Sequence, residues 1–216
     1  EWVVNSSQIQ PRPRVNLPTA PQVGTVMGMA VYGPNMGTLL EVEASATPVA
    51  PGQGKLIVTG VVDEEELGNG AHKVKRKSMA RGSVENVLTV LKSIVGIEPG
   101  EYDIHVNFPG GTPIDGPSAG VAIAVAIYSA ITGKKVDNYC AMTGEISILG
   151  KVKPVGGIVP KVEAARLAGI KRVLIPKDNQ LSLLENMTDV EVVGVDYLND
   201  VLNRVFAAAP PSLFDE

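Results

Sequence analysis

The chain has 216 residues, 44% hydrophobic and 19% charged, with 19 Lys+Arg against 23 Asp+Glu for a formal net charge of −4. That hydrophobic content at low net charge excludes wholesale disorder, and the acidic balance disfavours a nucleic-acid binder that neutralises phosphates. A single cysteine, Cys140, excludes an internal disulfide framework and most zinc sites, while two histidines, His72 and His105, leave little for histidine-based catalysis.

In chain order, residues 1–22 carry Pro11, Pro13, Pro18 and Pro21 with little periodicity and read as an extended linker. The chain starts at Glu1 with no initiator Met, basic n-region or apolar h-region, so the reading expects no signal peptide and a piece cut from a longer protein. Short β-like runs follow over 23–31, 37–46 and 55–62, and the alternation around Leu39, Leu40, Glu41, Val42 and Glu43 predicts a half-exposed antiparallel sheet. The acidic block 63–66, followed by Lys73, Lys75, Arg76, Lys77 and Arg81, reads as a solvated loop. Val84, Val87, Leu88, Leu91 and Val95 then mark one face of a helix ended by Gly96 and Pro99-Gly100.

Beyond it the units alternate. Residues 103–108 predict a strand and 117–132 an almost wholly apolar, buried helix. Strands are expected over 139–148 and 151–155 with a turn at Leu149-Gly150, then a helix over 159–168 and a strand over 173–175. A helix over 179–186, a strand over 190–195 and a helix over 196–208 complete the pattern, before a frayed tail at 209–216. The apolar run from Val121 to Ile127, extending loosely to Ile131, falls short of the ~18–20 residues a membrane helix needs. The expected fold is therefore one α/β (α+β) domain over 23–208, an antiparallel N-terminal β region followed by alternating strands and helices.

The chemistry concentrates in two stretches. In Asp115-Gly116-Pro117-Ser118-Ala119-Gly120, Pro117 suits the first position of a helix and places Ser118 second. The unpartnered N–H groups of a first turn, with the positive end of the helix dipole, lie beside that hydroxyl and are suited to a developing oxyanion. The plainer reading is a serine that caps or lines a buried helix. A Gly-x-Ser-x-Gly nucleophile elbow also fits Gly116 to Gly120, but it needs a histidine later in the chain, and both histidines precede Ser118. His72 or His105 with Asp115 would complete a His–Asp–Ser order, yet one lies in the basic loop and the other mid-strand.

A neutral lysine can also activate a serine. In Lys153-Pro154-Val155-Gly156-Gly157-Ile158-Val159-Pro160-Lys161, Pro160 reads as a first helical position and Lys161 as part of the opening turn. A cation there opposes the helix dipole, and Ile158, Val159 and Val162 supply an apolar wall; both effects lower its pKa. The plainer reading is a lysine whose stem snorkels to water. Thr143, in Thr143-Gly144-Glu145 between the two stretches, is placed to hold the amine by a hydrogen bond, and Glu145 to form an ion pair or face solvent. Cys140 reads as a small buried hydrophobe. Neither Gly110-Gly111 nor Gly156-Gly157 is followed by Gly-Lys-Ser/Thr, so no phosphate cradle, and no ATP site, is expected in this chain.

The run Pro109-Gly110-Gly111-Thr112-Pro113-Ile114-Asp115-Gly116-Pro117-Ser118-Ala119-Gly120 resembles the active-site segment of the proteolytic domain of Lon proteases. The stretches 142–152 and 154–161 are similar to that family's next two motifs, in the same order, and 169–176 to the strand that follows. Phe108-Pro109-Gly110-Gly111 and Ile158-Val159-Pro160 depart from the commonest bacterial wording and look more like a B-type or Bacillus-type branch.

The resemblance implies a Ser–Lys dyad serine endopeptidase of the ATP-dependent kind, acting on unfolded or damaged proteins. Ser118 would be the nucleophile and Lys161 the general base and later acid. Thr143 would orient the lysine, with Asp115 and Gly116 shaping the site. It implies a hexameric ring of identical subunits, with no nucleic acid, metal or cofactor for this domain. ATP and Mg are implied only for an ATPase module joined upstream through the Pro-rich linker. A cytoplasmic location follows, with the full-length protein membrane-associated in one branch. From a different functional class, the alternative is a non-catalytic assembly or substrate-docking module, since related domains in DNA-repair and competence proteins show this fold without the dyad. A nucleotide-binding module at the Gly-rich turns is a weaker third.

Overall fold

The computed structural model describes residues 16–31, 36–60, 64–67, 74–77, 79–110, 117–185 and 187–207. The strands are β1 Thr25–Val31, β2 Gly37–Pro48, β3 Leu56–Thr59, β4 Glu64–Leu67, β5 Val74–Lys77, β6 Tyr102–Asn107, β7 Cys140–Met142, β8 Glu145–Ile146, β9 Val152–Lys153, β10 Arg172–Pro176 and β11 Glu191–Val195. The helices are α1 Met79–Val90, α2 Gly120–Thr132, α3 Ile158–Leu167, α4 Ser182–Glu185 and α5 Leu198–Leu202. Most of the linker expected over 1–22 and all of the tail expected over 209–216 lie outside the described residues.

Seven strands form one mixed sheet in the order β11-β10-β7-β1-β2-β6-β3. The expected antiparallel region is present as β1–β2 and β2–β6. It is continuous with parallel pairings on both sides, β1–β7, β7–β10 and β10–β11 on one and β3–β6 on the other. The period of two along each strand then divides the side chains between two apolar layers. Val26, Leu40, Val42, Cys140, Met142 and Leu174 face a core shared with α1, α2 and α5, whereas Met27, Met29, Leu39, Ala141, Val173 and Ile175 face α3 and α4. Helices on both faces of a largely parallel half-sheet explain why these strands are apolar almost throughout. α2 is the most deeply placed helix, with every residue from Gly120 to Ile127 buried, so its apolar character runs all the way round.

Several sequence expectations change. The charged stretch read as a solvated loop contains an antiparallel pair, with β4–β5 in the register Glu64↔Lys77, Glu65↔Arg76 and Glu66↔Lys75. Three acidic positions are therefore in register with three basic ones, an alignment that neither charge run reveals alone. The strand expected over 139–148 breaks at Thr143-Gly144 into β7 in the main sheet and β8 paired with β9. The helix expected over 179–186 is a 3-10 turn at Lys177–Asn179 followed by the short α4. The last helix covers only Leu198–Leu202, because the chain turns back to make a bridge between Phe206 and Val136.

Candidate active site

The two helix starts singled out by sequence meet at the Thr143-Gly144 corner. Pro117–Ala119 form a 3-10 turn and α2 begins at Gly120, so Ser118 lies one tight turn ahead of the helix rather than second within it. Its carbonyl accepts from the Gly144 N–H at 2.9 Å and from the Thr143 hydroxyl at 3.2 Å. The Val121 N–H in turn donates to the Gly144 carbonyl at 3.0 Å. Three hydrogen bonds thus clamp the start of a buried helix to one corner of the sheet, leaving Ser118 itself half-buried.

Gly144 makes that corner possible. Its φ of 156° is one that other residues rarely adopt, and an added Cβ would lie 2.7 Å from Val152 Cγ1 and 2.8 Å from Val121 Cγ2. In the sequence this residue reads only as part of a strand end. Its signal, a glycine between two buried apolar runs, is common to many turns.

Lys161 arrives from the other face of the sheet. α3 starts at Ile158 after Gly157, one residue before the helix expected over 159–168, and Pro160 is the third helical residue rather than the first. Proline is tolerated there because the first N–H groups of a helix have no intrahelical partner. Lys161 supplies the first N–H that does, donating to the Gly157 carbonyl at 3.2 Å. Its side chain is only 2% exposed, beside the buried Ile158 and Val162, and Nζ donates to Thr143 Oγ1 at 3.2 Å. No carboxylate among the described residues lies within ion-pair distance of it.

Burial lowers the amine from the ordinary lysine value of 10.5 to about 8. At pH 7 about a tenth of such amines are neutral, against roughly one in three thousand for an ordinary lysine. The site therefore holds a usable base where few lysines would be one. Thr143 links the two sides, since its hydroxyl accepts from Lys161 and donates to the backbone of Ser118.

The remaining candidates separate from this centre. Asp115, Gly116 and His72 lie outside the described residues. His105 is on β6, exposed, with Nε2 2.9 Å from Thr59 Oγ1. Glu145 is half-buried in β8. Cys140 is fully buried, and burial pushes its thiol up to about 12, so it stays an un-ionised apolar group at neutral pH. Among the described residues no cluster of three His, Cys, Asp or Glu side chains could hold a metal ion. No helix among them is long and apolar enough to cross a membrane.

A three-layer α/β domain that brings a helix-start serine and a buried lysine to one threonine has a layout compatible with a serine protease domain. The chain matches the Lon protease (S16) C-terminal proteolytic domain over residues 10–208 and belongs to that family of serine endopeptidases. It is 50% identical over 210 residues to Lon protease 2 of Bacillus subtilis, covering 97% of this chain and 38% of that protein. It is 39% identical over 189 residues to the archaeal Lon protease of Archaeoglobus fulgidus, covering 85% of this chain and 28% of that one. Lon protease 1 of Thermus thermophilus is 40% identical over 193 residues, covering 84% of this chain and 22% of that protein. The chain thus spans well under half the length of these relatives.

Proposed function

We propose that this domain hydrolyses peptide bonds with Ser118 as nucleophile and Lys161 as general base, on segments of unfolded or damaged protein. The observation that carries the reading is a lysine held 2% exposed, its amine bonded to Thr143, whose hydroxyl donates to the backbone carbonyl of Ser118. A buried amine with no carboxylate partner among the described residues is costly to keep for stability alone, and its lowered pKa suits proton transfer near neutrality.

In this reading the steps run as follows. The neutral Lys161 amine takes the Ser118 hydroxyl proton as Oγ bonds to the scissile carbonyl carbon. The resulting ammonium gives that proton to the leaving amine nitrogen when the C–N bond breaks, leaving an ester on Ser118. A water then loses its proton to Lys161 while attacking the ester. Collapse returns the proton to Oγ and frees the new carboxyl end. The N–H groups of Thr143 and Gly144 are already committed to Leu174 and Ser118, so donors for the developing oxyanion come from elsewhere.

The same proposal includes a role for Asp115 and Gly116 in shaping the serine turn. It also includes a ring of identical subunits, hexameric by family resemblance, and an ATP-using module joined upstream through the proline-bearing linker. A cytoplasmic location rests on that resemblance as well. The reading is tested by hydrolysis of a fluorogenic peptide by the parent domain, Ser118→Ala and Lys161→Ala, with circular dichroism and oligomer size recorded alongside. Cleavage by the parent alone, all three sharing fold and size, is the expected result. Retained cleavage by Lys161→Ala overturns the assignment of the base.

A further inference from the structure

The lysine-bearing helix is seated on the end of the β1–β2 hairpin by contact between two backbones. β2 begins at Gly37, which pairs across the ladder with Val31. A Cβ built on Gly37 would overlap the carbonyl group of Pro160 and come 2.9 Å from the Lys161 backbone nitrogen. These are main-chain atoms inside a helix, so they cannot rotate aside as a flexible side chain would. The partner position shows the same closeness. A Cβ on Gly157, the residue just before α3, would lie 2.5 Å from Val31 Cγ1. Just beyond the seat, Leu39 packs in the apolar layer that holds Ile158 and Val162.

Ser118 is held by a different set of contacts, backbone hydrogen bonds to the Thr143-Gly144 corner just after β7. The height of the lysine amine relative to that corner is therefore fixed independently, by how closely α3 approaches β2.

We propose that Gly37 is a positioning residue for catalysis. By lacking a side chain, it lets the first turn of α3 sit low enough for the Lys161 amine to reach Thr143 and stay out of water. The inference deepens the dyad reading and rests on it. Gly37 touches neither substrate nor reacting atoms and acts through the Pro160–Lys161 peptide. A side chain there lifts the helix start, lengthens the Lys161–Thr143 hydrogen bond and admits water to the amine. A displacement of about 1 Å at such a site costs on the order of a hundredfold in rate.

The test compares the parent, Gly37→Ala and Gly28→Ala in the same protein. Gly28 lies in the neighbouring β1, where an added Cβ would meet Leu40 O at 3.4 Å and Ala122 Cβ at 3.5 Å, ordinary contacts. The readouts are kcat and KM on a fluorogenic peptide across pH, melting temperature, and direct titration of the Lys161 Nζ by NMR.

For Gly37→Ala the expected result is a kcat about 10- to 100-fold lower with KM within about twofold, and an amine that titrates above the parent's value. Gly28→Ala is expected to titrate like the parent. A Gly37→Ala protein that is less stable while its Lys161 titration is unmoved overturns the proposal, since a purely structural glycine would give that result. If Gly37→Ala does not fold, the same readouts on Leu39→Val, which loosens the seat without adding an atom, decide the matter, and an unmoved titration there also overturns it. Failure of the dyad itself is distinguishable, because it appears as cleavage retained by Lys161→Ala whatever Gly37 does.

Discussion

Replacing Lys161 by methionine should abolish cleavage and yet stabilise the domain below about pH 8. The amine is lowered from 10.5 to about 8 by burial, so in the folded chain the ammonium form is penalised. At about 1.4 kcal/mol for each tenfold change in a proton-binding constant, that difference is on the order of 3 kcal/mol.

The sign fixes where the penalty is felt. Between about 8 and 10.5 the unfolded chain holds a proton that the fold has lost, so stability rises with pH across that window. Below about 8 both states are protonated and the fold carries the whole penalty. Methionine fills the same slot without charge. Losing the hydrogen bond to Thr143 costs about 1 kcal/mol in return, leaving a net gain of about 2 kcal/mol near pH 6. For a domain of this size that is a melting temperature higher by about 4–8 °C. The gain should fade as pH approaches 10. The assay is thermal unfolding of parent and Lys161→Met from pH 6 to 10, followed by calorimetry or circular dichroism. A variant less stable than the parent at pH 6, or a difference independent of pH, would contradict a buried-cation penalty at Lys161.

Further outcomes follow from the same contacts. Thr143→Val keeps the shape of the buried threonine but removes the hydroxyl between Lys161 and Ser118; kcat should fall about 10- to 100-fold, with Thr143→Ser recovering most of it in the same peptide assay. Gly144→Ala forces a Cβ against Val152 and Val121 at an unfavourable φ, so chemical denaturation should show a loss of about 2 kcal/mol or more and peptide cleavage should fall with it. Cys140, buried with its thiol held up to about 12, should resist iodoacetamide in the folded protein at pH 8 and react only on unfolding, as read by mass spectrometry.

The site was legible to the extent that its chemistry follows helix-start rules. Pro117 and Pro160 flagged the two places where a chain enters a helix, and a lysine where an acid would be more stable flagged a conflict with local preference. The apolar run after Ser118 correctly indicated a buried helix. Pro160 misled by two residues because proline is tolerated anywhere in the first turn, so it marks a helix start only loosely.

What stayed hidden depends on pairs distant in sequence. The complementary β4–β5 register exists only once one charge run is laid against the other. The break at Thr143-Gly144 arises because the chain leaves the main sheet there to pair with β9, a partner choice that no local period encodes. The close approach of Gly37 to the Pro160–Lys161 peptide joins residues far apart in the chain, and nothing at either position announces it.

The most direct test of the Ser–Lys assignment is covalent labelling of Ser118 by a serine-directed fluorophosphonate, mapped by mass spectrometry across pH in the parent and in Lys161→Ala. A Ser118–Lys161 dyad predicts an adduct on Ser118, formed at a rate that climbs through about pH 8 in the parent and collapses in the variant. An adduct on another residue, or a labelling rate at Ser118 that ignores both pH and the loss of Lys161, would contradict it.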